Sequence, residues 1–135
     1  MKIQQLSKYV YIADQVNTSD IETLKALGIH AVINNRPDNE EVGQPLSDEL
    51  SKSMKASGIE YAYLPITPCV YTETNIEEFS VLFNAMKKPI LLFCRTGNRA
   101  VNLWALSQMN KYGKKNVIDK AKNIGFDVAL TINNY

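Results

Sequence analysis

Apolar positions along the chain follow two alternating periods. Val10-Tyr11-Ile12-Ala13, Ala31-Val32-Ile33-Asn34, Ile59 to Ile66 and Pro89 to Phe93 are short apolar runs of strand length. Between them, apolar residues recur every three or four positions, as on one face of a helix. Ile21, Leu24 and Leu27 form the first stripe, opened by the capping-box pattern Ser19-Asp20-Ile21-Glu22 and closed by Gly28. Leu46, Leu50 and Met54 mark a second helix ending near Gly58, and Ile76, Phe79, Leu82 and Phe83 a third, capped by Thr74 or Asn75. Val101, Trp104, Ala105 and Gln108 begin a fourth, and Asn116 to Ile124 forms a fifth, stopped by Gly125. Strand and helix thus alternate four times. The pattern predicts an α/β fold: a mostly parallel central sheet of four to five strands with helices on both faces. No repeat, linker or low-complexity segment interrupts it, so residues 1–135 read as a single domain.

Composition narrows the function classes. The 135 residues are 45% hydrophobic and 21% charged, which suits a globular core. A formal net charge of +1 leaves no broad basic surface for nucleic acid, so any bound anion must be held locally. Met1 to Leu6 lacks the apolar centre of a signal peptide, and no run approaches the roughly 20 residues of a membrane span. The expectation is a cytoplasmic domain with neither nucleic acid nor membrane as partner. Cys69 and Cys94 make no disulfide framework and have no metal-ligand spacing. With His30 the only histidine, no zinc site is expected, and acid–base work falls to a carboxylate.

The candidate chemistry lies in Ile90-Leu91-Leu92-Phe93-Cys94-Arg95-Thr96-Gly97-Asn98-Arg99. A buried strand ends in a cysteine, and a short loop with one glycine and two arginines leads into a helix. Ligands of parallel sheets sit beyond the C-terminal strand ends, where Cys94 stands. A strand-end cysteine is commonly inert packing, but two arginines beside it need an anionic partner. Gly97 allows close backbone approach, and Arg99 at a helix start opposes the macrodipole unless an anion lies between them. The helix N-terminus supplies unpaired N–H donors. Together these residues point to a thiolate working on a small anion.

Several segments make a family resemblance specific: Val10-Tyr11-Ile12-Ala13, Val32 to Asp38 with Glu41, Tyr63-Leu64-Pro65-Ile66, Cys94 to Arg99, and Leu103-Trp104. Over almost its whole length the chain resembles the bacterial beta-lactamase-hydrolase-like, phosphatase-like domain family, within the superfamily of protein tyrosine and dual-specificity phosphatases. The resemblance implies a cysteine-phosphatase-like fold and a cysteine-dependent phosphatase that needs no cofactor. Cys94 would attack phosphorus to form a phosphocysteine intermediate. Arg99 would clamp two phosphoryl oxygens, and Arg95, Thr96, Gly97 and Asn98 would line the anion cradle. The substrate would be a phosphorylated small molecule or a phosphoprotein.

The loop departs from the superfamily's usual pattern. Its spacing is C-x4-R rather than C-x5-R, Phe93 stands where the superfamily usually has histidine, and Ala100 stands where it usually has Ser or Thr. Loss of that hydroxyl removes a donor for the leaving thiolate, which Thr96 could replace. Cys-Arg-x-Gly-x-Arg also resembles single-domain rhodaneses, so the alternative is a sulfurtransferase carrying a Cys94 persulfide. Dual-specificity phosphatases carry an acid aspartate in the loop after the strand preceding the cysteine strand, but residues 67–73 hold none. The superfamily's sheet order instead points to Asp38 as the acid, with Glu41 and Glu73 as alternatives. Cys69 is either an incidental loop residue or a resolving thiol for Cys94.

Overall fold

The four apolar runs become strands, and a fifth strand joins them at the edge. The computed structural model describes residues 1–135. In chain order the elements are β1 (Ile3–Ser7), β2 (Val10–Ala13), α1 (Ile21–Ala26), β3 (Ala31–Asn34), α2 (Ser47–Ala56), β4 (Glu60–Tyr63), α3 (Glu73–Ala85), β5 (Ile90–Phe93), α4 (Asn98–Tyr112), α5 (Lys114–Asn123) and α6 (Ala129–Asn133). The sheet order is β1-β2-β5-β3-β4, with only the β1–β2 pair antiparallel.

Alternation along the strands divides the core into two layers. Ile90 and Leu92 of β5 and Ala31 and Ile33 of β3 face a cluster built with α3 to α6. Leu91 and Phe93 of β5 and Val32 of β3 face the other cluster, with α1 and α2. All four β5 residues are fully buried, each large side chain contributing about 1.5–3 kcal/mol of transfer free energy. This is the pattern of a strand covered on both faces.

Several boundaries differ from the expected ones. A 3₁₀ turn at Thr18–Asp20 leads into α1, and its capping box joins Asn17 to Asp20 rather than Ser19 to Glu22. Thr72 caps α3, with Asn75 reciprocating from the third helical position. The third apolar run forms ladder only over β4, because Pro65 and Pro68 lie beyond it and cannot donate.

The strand order brings two loops together. β3 pairs with β5 in register, Asn34 opposite Phe93, and both run the same way. The segments after Asn34 and after Phe93 therefore leave the sheet side by side.

Candidate active site

Residues 94–97 turn the chain from β5 into α4. Gly97 makes the turn possible. Its φ is +97°, and a Cβ there would stand 3.0 Å from both Ile12 Cγ2 and Phe126 Cζ and 3.4 Å from the Ala13 carbonyl. A side chain would be strained by its backbone and blocked by its neighbours.

The turn wraps its amides around the cysteine. Cys94 is fully buried, and its Sγ accepts a hydrogen bond from Gly97 N–H at 3.1 Å. Thr96 Oγ1 accepts from Asn98 N–H at 3.3 Å. The backbone N–H groups of Arg95, Thr96, Arg99 and Ala100 donate to no backbone carbonyl. Free amides at the start of a fifteen-residue helix form a ready anion cradle. Arg95, Thr96 and Asn98 are exposed on its rim, whereas Arg99 is buried.

Arg99 is held by a residue that the sequence reading did not single out. Its Nη1 and Nη2 donate to the two carboxylate oxygens of Glu40 at 2.8 and 2.9 Å, and Nη1 also donates to the Ile66 carbonyl at 3.0 Å. Bidentate pairing fixes the guanidinium plane. Nε takes no part in these bonds, so the Nε/Nη2 edge is available for a second oxyanion.

Glu40 is in turn fixed by Arg36. The Arg36 side chain is 3% exposed; its Nε donates to Glu40 Oε1 at 2.9 Å, Nη1 to Gln15 Oε1 at 2.8 Å and Nη2 to Glu41 Oε2 at 3.1 Å. Hydrogen bonds from Arg99 hold the Glu40 carboxyl below its ordinary value, and Arg36 adds to this against the opposing effect of burial. At neutral pH Glu40 is therefore a carboxylate acceptor with no proton to give.

Asp38 lies in the same loop but faces another way. Its Oδ1 accepts from Ser47 N–H at 2.8 Å, which caps α2, and its own N–H donates to the Tyr63 hydroxyl at 2.9 Å. It borders a cavity with Ser51, Lys55 and Tyr61 that includes no residue of the cysteine loop. Of the alternative carboxylates, Glu41 is bound to Arg36 and Glu73 opens α3 on the exposed side. Thus the structure puts Glu40, rather than Asp38, Glu41 or Glu73, against Arg99.

The other wall of the site comes from the segment before α3. Cys69 is exposed and Cys94 buried, and both thiols are free. Cys69 adopts a φ of +63°. Tyr71 is buried, and burial pushes its phenol up to about 12, with the charges of Cys69 and Cys94 adding to the effect. Arg36 and Glu40 did leave a trace in the sequence. An arginine two positions beyond a buried strand needs an anion, and Asp38, Glu40 and Glu41 all follow within five residues.

Comparison with known proteins places the chain in a family. A phosphatase-like domain family, described as "Beta-lactamase hydrolase-like protein, phosphatase-like domain", matches residues 2–111. A beta-lactamase hydrolase-like protein of Agrobacterium fabrum is 30% identical over 130 residues, which cover 95% of this chain and 30% of that protein. One from Xylella fastidiosa is 31% identical over 109 residues, covering 81% of this chain and 25% of its own. The chain therefore spans less than a third of the curated relatives it matches. A crystal structure of a "putative phosphatase" from Neisseria meningitidis superposes with a TM-score of 0.86 at 28% identity, covering 99% of this chain and 96% of that one. The fold is also that of P. aeruginosa TpbA in complex with pTyr, at TM-score 0.71 and 15% identity over 98% of this chain and 81% of the other. No helix here is long and apolar enough to cross a membrane. By sequence, the chain belongs to the phosphatase-like domain family of the beta-lactamase hydrolase-like proteins.

Proposed function

We propose that this domain hydrolyses phosphomonoesters through nucleophilic attack by Cys94. The observation that carries the reading is the geometry around one sulfur. A buried Sγ lies within hydrogen-bond reach of the Gly97 amide, in a loop of free N–H groups, beside a guanidinium fixed with one edge open. The phosphoryl group would sit over Sγ, its equatorial oxygens on the loop amides and on Arg99 Nε and Nη2. The S–P bond forms as the bond to the leaving oxygen breaks, and that oxygen departs with the electron pair and takes up a proton. Water then attacks phosphorus, releasing inorganic phosphate and restoring the thiolate. Fixed donors aimed at the developing charge each contribute on the order of 10²–10³ in rate. The family, the 28%-identical structure and the phosphotyrosine complex of TpbA support phosphoryl rather than sulfur chemistry. A phosphorylated small molecule or a phosphoprotein would be the substrate.

p-Nitrophenyl phosphate is the direct test, because nitrophenolate leaves without needing an acid. Wild-type protein should hydrolyse it in the presence of a chelator, vanadate should inhibit, and Cys94→Ser should abolish turnover. Inactivity combined with efficient sulfur transfer from thiosulfate to cyanide would establish the Cys94-persulfide alternative instead.

A further inference from the structure

Beside the cysteine loop lies a cavity of about 540 Å³, between the Cys69–Tyr71 segment, the first turn of α4 and the C-terminal residues around α6. That volume suits a small organic body. Asn98, immediately before Arg99, forms part of its wall, and so does Tyr71, on which the charges of both Cys94 and Arg99 act. Through Asn98 the cavity therefore adjoins the loop where a phosphoryl group would be held.

The lining is rich in acceptors and contains no cation. Asn102 is 3% exposed, and its Nδ2 donates to the Asn98 carbonyl at 2.8 Å and to Asn98 Oδ1 at 3.1 Å. Those two acceptors fix which way the amide faces, and they leave Asn102 Oδ1 buried without a partner. An orphaned buried acceptor is costly, so a ligand hydroxyl that displaced Asn98 enough to reach this closed-off oxygen would be favoured. Asp127 Oδ1 accepts from the Ala129 N–H at 3.0 Å, and its other oxygen makes no hydrogen bond in the protein. Thr131 and Asn134 add further polar groups, and none of the lining residues is Lys, Arg or His. Hydroxyl donors are matched by such a wall. A second phosphate would meet Asp127 with nothing to neutralise it.

We propose that this cavity is the leaving-group subsite and that it selects a hydroxyl-rich phosphomonoester, polyol- or sugar-like, over one bearing a second phosphate. The proposal rests on the phosphatase reading for its orientation, but its test does not depend on turnover. Cys94→Ser protein is titrated calorimetrically with inorganic phosphate, glucose 6-phosphate and glucose 1,6-bisphosphate as probes. Glucose 6-phosphate should bind about tenfold more tightly than either of the others, the scale of one screened charge contact or one satisfied buried acceptor. Asp127→Lys should reduce the preference over the bisphosphate by about tenfold, since it replaces repulsion with attraction. Asn134→Lys adds a positive charge at an exposed position of the same wall, half the charge change of Asp127→Lys, and should act in the same direction. Glucose 6-phosphate binding no tighter than inorganic phosphate would overturn the subsite. So would a monophosphate-to-bisphosphate ratio unmoved in both variants. If the binding pattern holds while wild-type protein fails to hydrolyse p-nitrophenyl phosphate, the phosphatase reading falls and the subsite stands.

Discussion

Glu40→Gln separates a working clamp on Arg99 from an incidental ion pair. The change preserves size and one acceptor oxygen but removes the charge and presents an NH₂ group to one of the two guanidinium donors. The Arg99 side chain is 8% exposed and that of Glu40 is 21% exposed, so water replaces the lost acceptor only in part. Hydrogen bonds between charged groups contribute about 1.5–3 kcal/mol, and partial hydration of Glu40 reduces the expected loss of stability to about 1–2 kcal/mol. Activity should fall further than stability, because a guanidinium released from a fixed plane loses alignment with the transition state. A misplacement of about 1 Å costs on the order of 10²-fold, so kcat/KM for p-nitrophenyl phosphate should drop about 10- to 100-fold, with most of the loss in kcat. Urea unfolding and steady-state kinetics read the two quantities. The pH dependence has a definite sign. The Glu40 carboxyl lies below its ordinary value of 4.5 in the folded protein, so the pair's contribution is complete above that value and is lost as pH falls through the lower folded one. The stability difference between wild type and Glu40→Gln should therefore be flat at neutral pH and shrink only in acid. Unchanged stability together with unchanged kinetics would refute the clamp. Raised activity would show instead that the carboxylate competes with the phosphoryl group for Arg99.

Two further substitutions test neighbouring parts of the site. Gly97→Ala places a methyl group 3.0 Å from Ile12 and Phe126 on a backbone with φ of +97°; strain and overpacking together should cost about 2–4 kcal/mol in urea unfolding. A loss below 0.5 kcal/mol would mean that the loop has another accessible turn. Asp38→Ala should cost about 1 kcal/mol through the lost cap on Ser47, whereas Asp38→Asn keeps the acceptor and should be nearly neutral. Asp38→Asn should also leave turnover unchanged for good and poor leaving groups alike, and a selective loss for poor ones would return Asp38 to the role of proton donor.

What the sequence made legible was whatever periodicity and turn chemistry encode. β5 and β3 were readable because all their side chains are buried, and α3 because Phe79 and Phe83 repeat on one face. β1 was not readable. Its sequence Ile-Gln-Gln-Leu-Ser offers only two apolar residues out of alternation, and it exists as a strand through antiparallel pairing to β2, with an irregular register between Gln5 and Ser7. α6 is five residues long, with Leu130 exposed and Ile132 buried, too short to display a stripe. Cys94 and Arg99 were legible because thiol, glycine and guanidinium fall within six consecutive residues.

Glu40 is the instructive case, since it stands 59 residues from its partner and no local pattern connects them. Parallel pairing of β3 with β5 predicts that some carboxylate in the loop after β3 reaches the loop after β5, and that loop offers three: Asp38, Glu40 and Glu41. The choice among them is made by the backbone. Asn39 adopts a φ of +63°, a conformation that asparagine tolerates better than most residues. That turn sends Asp38 back toward α2, where it caps Ser47, and carries Glu40 forward to Arg99. Arg36 then holds Glu40 and Glu41 on different donors of one buried guanidinium. Sheet order brings the acidic loop to the active site; one left-handed residue decides which acid arrives.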